Sequence, residues 1–276
     1  MTPSDGTGRD SATGRGSDHG GTPDDAGGRR PPAPREHHPL DVPVRSSLEG
    51  AHAGFAERRG RVLRYHIDVT PFAELPDRPT AADWADLAAL TGPGGTASLA
   101  GQSFDPPPPG WRTVFLGEGV QMDGSEVVPA PFPEAVRLGP EDAEEMLDLV
   151  ARTRPGPFLH RTVELGTYLG VRREGKLVAM AGERMRPRGW TEISGVCTDD
   201  AHRGQGLAGR LVRAVAEVVR ARGERPFLHA SADNTGAIRL YESLGFRLRR
   251  PTVFHAVQAP ADRLGDGLYD TSRRQR

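Results

Sequence analysis

The sequence predicts an α+β protein, and three stretches carry that prediction. YLGVRREGKLVAMAGERMR reads as a β-hairpin that turns at Arg173-Glu174-Gly175-Lys176. LAGRLVRAVAEVVRARG reads as an amphipathic helix, with Leu207, Leu211, Val215, Val218 and Val219 on one face and Gly223 as its stop. Between them the strand WTEISGVCT, residues 190–198, runs through the loop DDAHRGQG directly into that helix.

Taken in order, residues 1–45 hold Gly, Asp, Arg, Pro and Ser and almost no large apolar side chain. Such a stretch cannot bury enough surface to offset its ordering entropy, so a disordered tail is expected. His19, His37 and His38 then read as solvated rather than as a metal tract. Residues 46–131 read as a small α+β subdomain. RVLRYHIDV alternates like a strand, and AADWADLAALTG repeats Trp84, Leu87, Ala88 and Leu90 at helical spacing before a glycine stop. TASLAG and WRTVFLGEGVQM read as strands, joined by the stiff connector DPPPPG. This strand and helix order also admits a degenerate copy of the domain at 132–259.

Residues 132–259 give sharper signals. EAVRL is a short strand, and Gly139-Pro140 opens the helix PEDAEEMLDLVART, acidic in its first turn where the helix dipole favours it. A tight turn at Pro187-Arg188-Gly189 precedes the strand at 190–198. PFLHAS is a strand, Asp233 or Asn234 caps the helix AIRLYESL, which Gly245 stops, and FRLRRPTVFHAV closes with strands. Residues 260–276 form a polar tail.

Composition narrows the function classes. A formal net charge of -1 with 26% charged residues points to neither nucleic acid nor membrane. No run approaches the roughly 20 apolar residues of a spanning helix, and the N-terminus lacks an apolar signal-type segment. Cys197 is the single cysteine, so no intrachain disulfide framework exists. A soluble cytoplasmic protein is the expectation.

The loop at 199–206 carries the strongest chemical signal. Gly204 and Gly206 let backbone approach a ligand closely, just where a helix begins. The free N–H groups of a first helical turn favour an anion such as a pyrophosphate, and Arg203 adds a cation beside them. A P-loop fails, because no Gly-Lys-Ser/Thr is present, and although Gly204-Gln205-Gly206-Leu207-Ala208-Gly209 carries the Gly-x-Gly-x-x-Gly spacing, that glycine pattern alone does not establish a dinucleotide fingerprint.

Arg203-Gly204-Gln205-Gly206-Leu207-Ala208 resembles the acetyl-CoA signature of the GNAT superfamily of N-acetyltransferases, Gln/Arg-x-x-Gly-x-Gly/Ala. Residues 234–246, NTGAIRLYESLGF, resemble its second signature, Asn-x-x-Ala-x-x-Leu-Tyr-x-x-x-Gly-Phe. The resemblance spans about residues 132–259. It departs at Asp200, where relatives often carry proline. It implies a mixed, mostly antiparallel sheet flanked by helices, with two strands that splay to admit a pantetheine arm. It also implies acetyl-CoA as acyl donor, pyrophosphate contacts from the backbone of Arg203, Gly204, Gln205, Gly206, Leu207 and Ala208, and pantetheine contacts from the Val196–Cys197–Thr198 strand. Asn234 would face the cofactor arm or simply cap its helix.

The acceptor amine must lose a proton before it attacks a thioester, and Glu192 lies where relatives hold a base. Its side chain falls on one pleat face with Ser194 and Val196. If the turn centres on Arg188, however, Glu192 faces Arg184 and forms a cross-strand ion pair. Glu183 is the rival carboxylate, and His202 or His229 could be a base, although each reads more readily as a packed or surface histidine. A backbone N–H near Val196 would serve the oxyanion. Tyr241 matches the tyrosine that protonates the leaving thiolate. Cys197 reads as an inert strand residue, so direct transfer in a ternary complex is expected. No spacing suggests a metal site. The acceptor is a small-molecule or peptide amine, walled by residues 152–167 and by the N-terminal subdomain. The competing class is a non-catalytic acyl-CoA sensor, which needs the glycine loop but neither Tyr241 nor the carboxylate.

Overall fold

A computed structural model describes residues 38–261. The chain opens with α1 (Pro43–Leu48), β1 (Ala56–Arg59), β2 (Val62–Tyr65), β3 (Phe72–Glu74), α2 (Ala81–Thr91), β4 (Thr96–Ala100) and β5 (Arg112–Asp123). It continues with β6 (Val136–Leu138), α3 (Ala143–Thr153), β7 (Tyr168–Arg173), β8 (Lys176–Glu183), β9 (Trp190–Thr198), α4 (Leu207–Ala221), β10 (Arg225–Ser231), α5 (Thr235–Leu244) and β11 (Arg247–Gln258). The strand and helix expectations for 81–92, 190–198 and 207–223 land on these elements. The closing segment, expected as several strands, is the single strand β11.

The described strands form one mixed sheet in the order β1-β2-β3-β4-β11-β5-β10-β9-β8-β7-β6. Every neighbouring pair is antiparallel except β3·β4 and β9·β10. The order therefore reads almost alike from either end. Each parallel pair is bridged by a helix, α2 in one half and α4 in the other. At the centre the halves exchange strands, so that β5 lies against β10 and β11 lies against β4. A cut at residue 131 would pass through this shared sheet, because β5 pairs along its length with β11.

The tail expected over 1–45 overlaps ordered chain. Leu40 and Val44 are both 0% exposed and pack with Tyr65, Trp190 and Phe227. His38 lies edge-on to Trp190 at 6.0 Å. Two apolar residues among prolines are too sparse a pattern to announce a core segment, and they bury only because the far half of the chain supplies the surface. Residues 1–37, with His19 and His37, and residues 262–276 lie outside the described residues.

Helix α4 anchors the site-bearing half. Leu207, Leu211, Val212, Val215 and Val219 are buried against the sheet, each worth about 1.5–3 kcal/mol relative to exposure. Val218, expected on that face, is half-buried, and Val212 takes its place. Among the described residues no helix is long and apolar enough to cross a membrane.

Candidate functional site

Strands β9 and β10 pair only through Trp190–Glu192 against Arg225–Phe227, and beyond that they diverge. β9 also carries a bulge. Ser194 faces Gly182 and Cys197 faces Met180, so three steps on β9 match two on β8. Gly195 absorbs the irregularity at φ +63°, a conformation that costs a glycine little. The extra residue reverses the alternation. Ile193 and Val196 both pack toward the α4 core, whereas Cys197 packs with Met146 and Leu149 of α3. Val196 therefore does not share a face with Glu192, as simple alternation required.

The divergence opens into a cavity of about 440 Å³. Ile193, Ser194, Gly195 and Val196 line one side and His229, Ala230 and Ser231 the other, with Asn234 and Tyr241 of α5 beside them. Pro155, Gly156 and Pro157 form one expected wall, and Phe72, Ser98, Leu99 and Ala100 of the N-terminal segment form the second. The Phe115 and Phe254 rings lie over strand β5, which needs glycine beneath them. A Cβ would sit 2.9 Å from Phe115 at Gly117 and 2.5 Å from Phe254 at Gly119.

Where the chain leaves β9 for the helix, α4 begins without a cap. Its N-cap is Gly206, no side chain accepts from its first N–H groups, and its first turn holds no acidic residue. Gly204 and Gly206 adopt φ +77° and +72°, and nothing lies within 4 Å of where a Cβ would stand. The loop thus presents open backbone and unpaired donors, as an anion requires. Leu207 is buried, so only its backbone is offered. Arg203 is 62% exposed at its side chain and pairs with Asp200 at 2.7 Å. Thr198 Oγ1 is buried with no hydrogen-bond partner, a polar atom left over at the end of β9.

The matching place in the other half is closed. Helix α2 carries a full capping box between Thr80 and Asp83, which satisfies its first turn internally. Beyond the last β3·β4 pair, Gln102 bonds both Leu75 N (3.1 Å) and Leu75 O (2.8 Å), sewing the strands together where β9 and β10 part. Among the described residues, the C-terminal half alone combines parted strands with an uncapped helix between them in sequence.

Glu192, expected as a base, is locked in the wall. It is 0% exposed, and Arg184 Nε and Nη2 donate to its two oxygens at 2.9 and 2.7 Å. His229 Nδ1–H donates to Oε1 at 2.8 Å. Burial alone would raise its pKa, but the Arg184 charge and hydrogen bonds, with His229, hold it well below the usual carboxylate range. The cross-strand ion pair that the turn geometry permitted is what forms, and it leaves no free lone pair directed at an amine. Glu183 is likewise engaged, by both terminal nitrogens of Arg222 at 3.0 and 2.9 Å.

His229, a candidate base alongside His202, lines the cavity. Gln121 Nε2 donates to Leu40 O at 2.8 Å and to His229 Nε2 at 3.1 Å, while Gln121 Oε1 accepts from Arg249 at 2.8 Å. Both ring nitrogens of His229 are thus occupied, Nδ1 by Glu192 and Nε2 by Gln121. No signal within the local sequence links Gln121 to His229, because they meet only through the β5·β10 pairing. His202 does not line this cavity.

Tyr241 is 8% exposed, and burial pushes its phenol up to about 12. Asn234 combines both expected roles, since its Oδ1 accepts from Ala237 N at 3.1 Å while it also lines the cavity. Burial pushes the Cys197 thiol up to about 11, so it stays protonated and poorly nucleophilic at neutral pH. Cys197→Ala should therefore leave turnover within about threefold of wild type in a thiol-release assay. A loss of activity would instead implicate a covalent thioester.

A family model described as FR47-like protein matches residues 168–255. That span holds β7 to β10, most of β11, and the starts of α4 and α5. A crystal structure from Novosphingobium aromaticivorans, described as from the GNAT family, is 41% identical over 81% of this chain and 99% of its own, with a TM-score of 0.74. The chain belongs to the GNAT family. Membership accounts for the mixed sheet and the parted strands. A GCN5-related N-acetyltransferase from Kribbella flavida shares the fold at 18% identity, covering 82% of this chain and 97% of its own, with a TM-score of 0.53. Among curated proteins, the N-alpha-acetyltransferase RimI of Mycobacterium tuberculosis is 36% identical over 83 residues, 29% of this chain and 51% of RimI. This match spans about half the length of that relative.

Proposed function

We propose that this GNAT protein transfers an acetyl group from acetyl-CoA to a primary amine by direct attack in a ternary complex. The observation that carries the reading is the pairing of an uncapped α4 N-terminus with the β9–β10 gap, 440 Å³ of cavity lined by Tyr241. The donor's diphosphate suits the backbone N–H groups of residues 203–208, and its arm suits the gap, where Val196–Thr198 offers strand-edge pairing and Thr198 Oγ1 has no other partner. Acetyl-CoA supplies an activated acyl carbon and a thiolate leaving group.

The chain's own residues then have separate tasks. The amine nitrogen attacks the thioester carbon, and a backbone N–H near the Gly195 bulge faces the developing oxyanion. As the carbon–sulfur bond breaks, the Tyr241 phenol gives its proton to sulfur. The proton shed by the new amide nitrogen leaves to solvent and ultimately restores the phenol, so the products are amide and thiol. Glu192 and Arg184 hold the wall rather than carry the proton. Capture of the thioester without turnover, as a sensor would show, has no use for a buried phenol beside the gap.

Calorimetry tests the reading. Acetyl-CoA should bind the wild-type protein, and Gly206→Val should weaken binding at least about tenfold, because a β-branched residue at φ +72° costs roughly 1–2 kcal/mol and forces the loop to move. Absence of binding heat in the wild type, or unchanged affinity in Gly206→Val, would sink it.

A further inference from the structure

The titratable lining of the cavity is Arg154, Arg184, His229, His255 and Tyr241, with no aspartate or glutamate. Glu192 stands behind this wall with both oxygens taken by Arg184. His255 is buried and neutral in its network: Nδ1 accepts from Phe104 N at 3.2 Å, and Nε2 meets Thr113 Oγ1 at 3.0 Å. Arg154 makes no side-chain ion pair among the described residues, and its backbone sits in the left-handed region at φ +50°.

Arg184 is the more telling cation. Its guanidinium lies 4.8 Å from the centre of the Phe72 ring, and Nε and Nη2 bond Glu192. Nη1 has no partner among the described residues, although the side chain is only 10% exposed. A buried guanidinium edge left open on a cavity is a carboxylate anchor in waiting.

We infer that the acceptor is a small α-amino acid with an apolar side chain, its carboxylate held at Nη1 of Arg184. The apolar side chain lies on Phe72, Leu99, Phe115 and Phe254, which line the same cavity. This rests on the acyl-transfer reading above. Polyamines fit poorly, because several ammonium groups would meet two guanidiniums and no carboxylate.

The test is thiol release from acetyl-CoA with L-phenylalanine, L-phenylalaninamide, phenethylamine, spermidine and a longer peptide with N-terminal Phe, each rate expressed per neutral amine. L-Phenylalanine should exceed the amide and phenethylamine by about tenfold or more in kcat/KM, the worth of one charge-assisted hydrogen bond. Arg184→Lys keeps a cation beside Glu192 but loses the second edge, and should bring the acid-to-amide ratio close to one while acetyl-CoA still gives binding heat. Equal rates for acid and amide, or a preference for spermidine or the peptide, would overturn the acceptor assignment and leave acyl transfer standing. An unchanged ratio in folded Arg184→Lys would overturn it too. Binding of acetyl-CoA with no turnover of any of these amines would overturn both readings. If Arg184→Lys does not fold, the wild-type series alone decides.

Discussion

Tyr241→Phe should lower kcat about 100-fold or more, within the usual range for loss of a general acid, and leave acetyl-CoA affinity within about twofold. The phenol looks at first like a poor acid for a thiolate, since an ordinary thiol titrates near 8.5 and tyrosine near 10. Burial changes both. It carries Tyr241 to about 12, and it carries a thiol in the same protein, Cys197, to about 11. Enclosing the departing sulfur beside the phenol would disfavour its charged form in the same sense and so narrow the gap between donor and acceptor. The high phenol value also fixes a pH dependence. Tyr241 remains protonated throughout the neutral range, so kcat/KM should rise with pH as the acceptor amine deprotonates and show no falling limb below about pH 10. Turnover by Tyr241→Phe within about threefold of wild type would remove the phenol from the mechanism. The variant keeps the ring against Phe246, 5.8 Å away between centroids, so packing loss does not confound the result.

The parts of this molecule that are legible in sequence are those encoded over short range. The glycine stop at Gly92, the hairpin turn at Glu174-Gly175, the uncapped start at Gly204–Gly206 and the Asn234 cap each depend on backbone geometry within a few residues. The bulge at Gly195 is also local, yet it is not legible, because a single glycine in a strand does not say whether pairing skips there. Its effect is large, since one inserted residue decides which side chains face the cavity. The other illegible features are long-range. No local pattern tells β5 to lie between β10 and β11, and that placement brings Gln121 to both His229 and Leu40. The wall at Phe72 and Ser98–Ala100 follows from the same exchange of strands. Glu192 is instructive because the sequence contained both answers. Residue type and position suggested a base, whereas the register of the preceding turn suggested Arg184, and burial decided for the ion pair.

That decision has a measurable consequence in stability. Glu192→Gln should destabilise the protein by about 3–5 kcal/mol, because a buried guanidinium loses its counter-charge while its desolvation cost remains. For a protein of this size, with roughly 2–4 °C per kcal/mol, the melting temperature should fall by about 6–20 °C. The pH dependence has a definite sign. The folded-state pKa of Glu192 lies below its unfolded value, so its contribution is present above the unfolded carboxylate pKa, roughly 4.3, and is lost as pH falls through the folded value. The gap between wild type and Glu192→Gln should therefore be constant near neutrality and shrink in acid. A proton-accepting Glu192 predicts the reverse pattern: kcat falls, a limb disappears from the pH–rate profile, and the melting temperature barely moves. The double variant Arg184→Met/Glu192→Leu separates charge from packing. Removing both ions takes away the uncompensated charge, so it should recover part of the stability that the single variant loses. Recovery would mean that Glu192 stabilises mainly by neutralising Arg184. A double variant no more stable than Glu192→Gln would mean that the His229 Nδ1–H and the Met185 N–H, which also donate to Glu192 at 2.8 and 3.3 Å, carry the larger share.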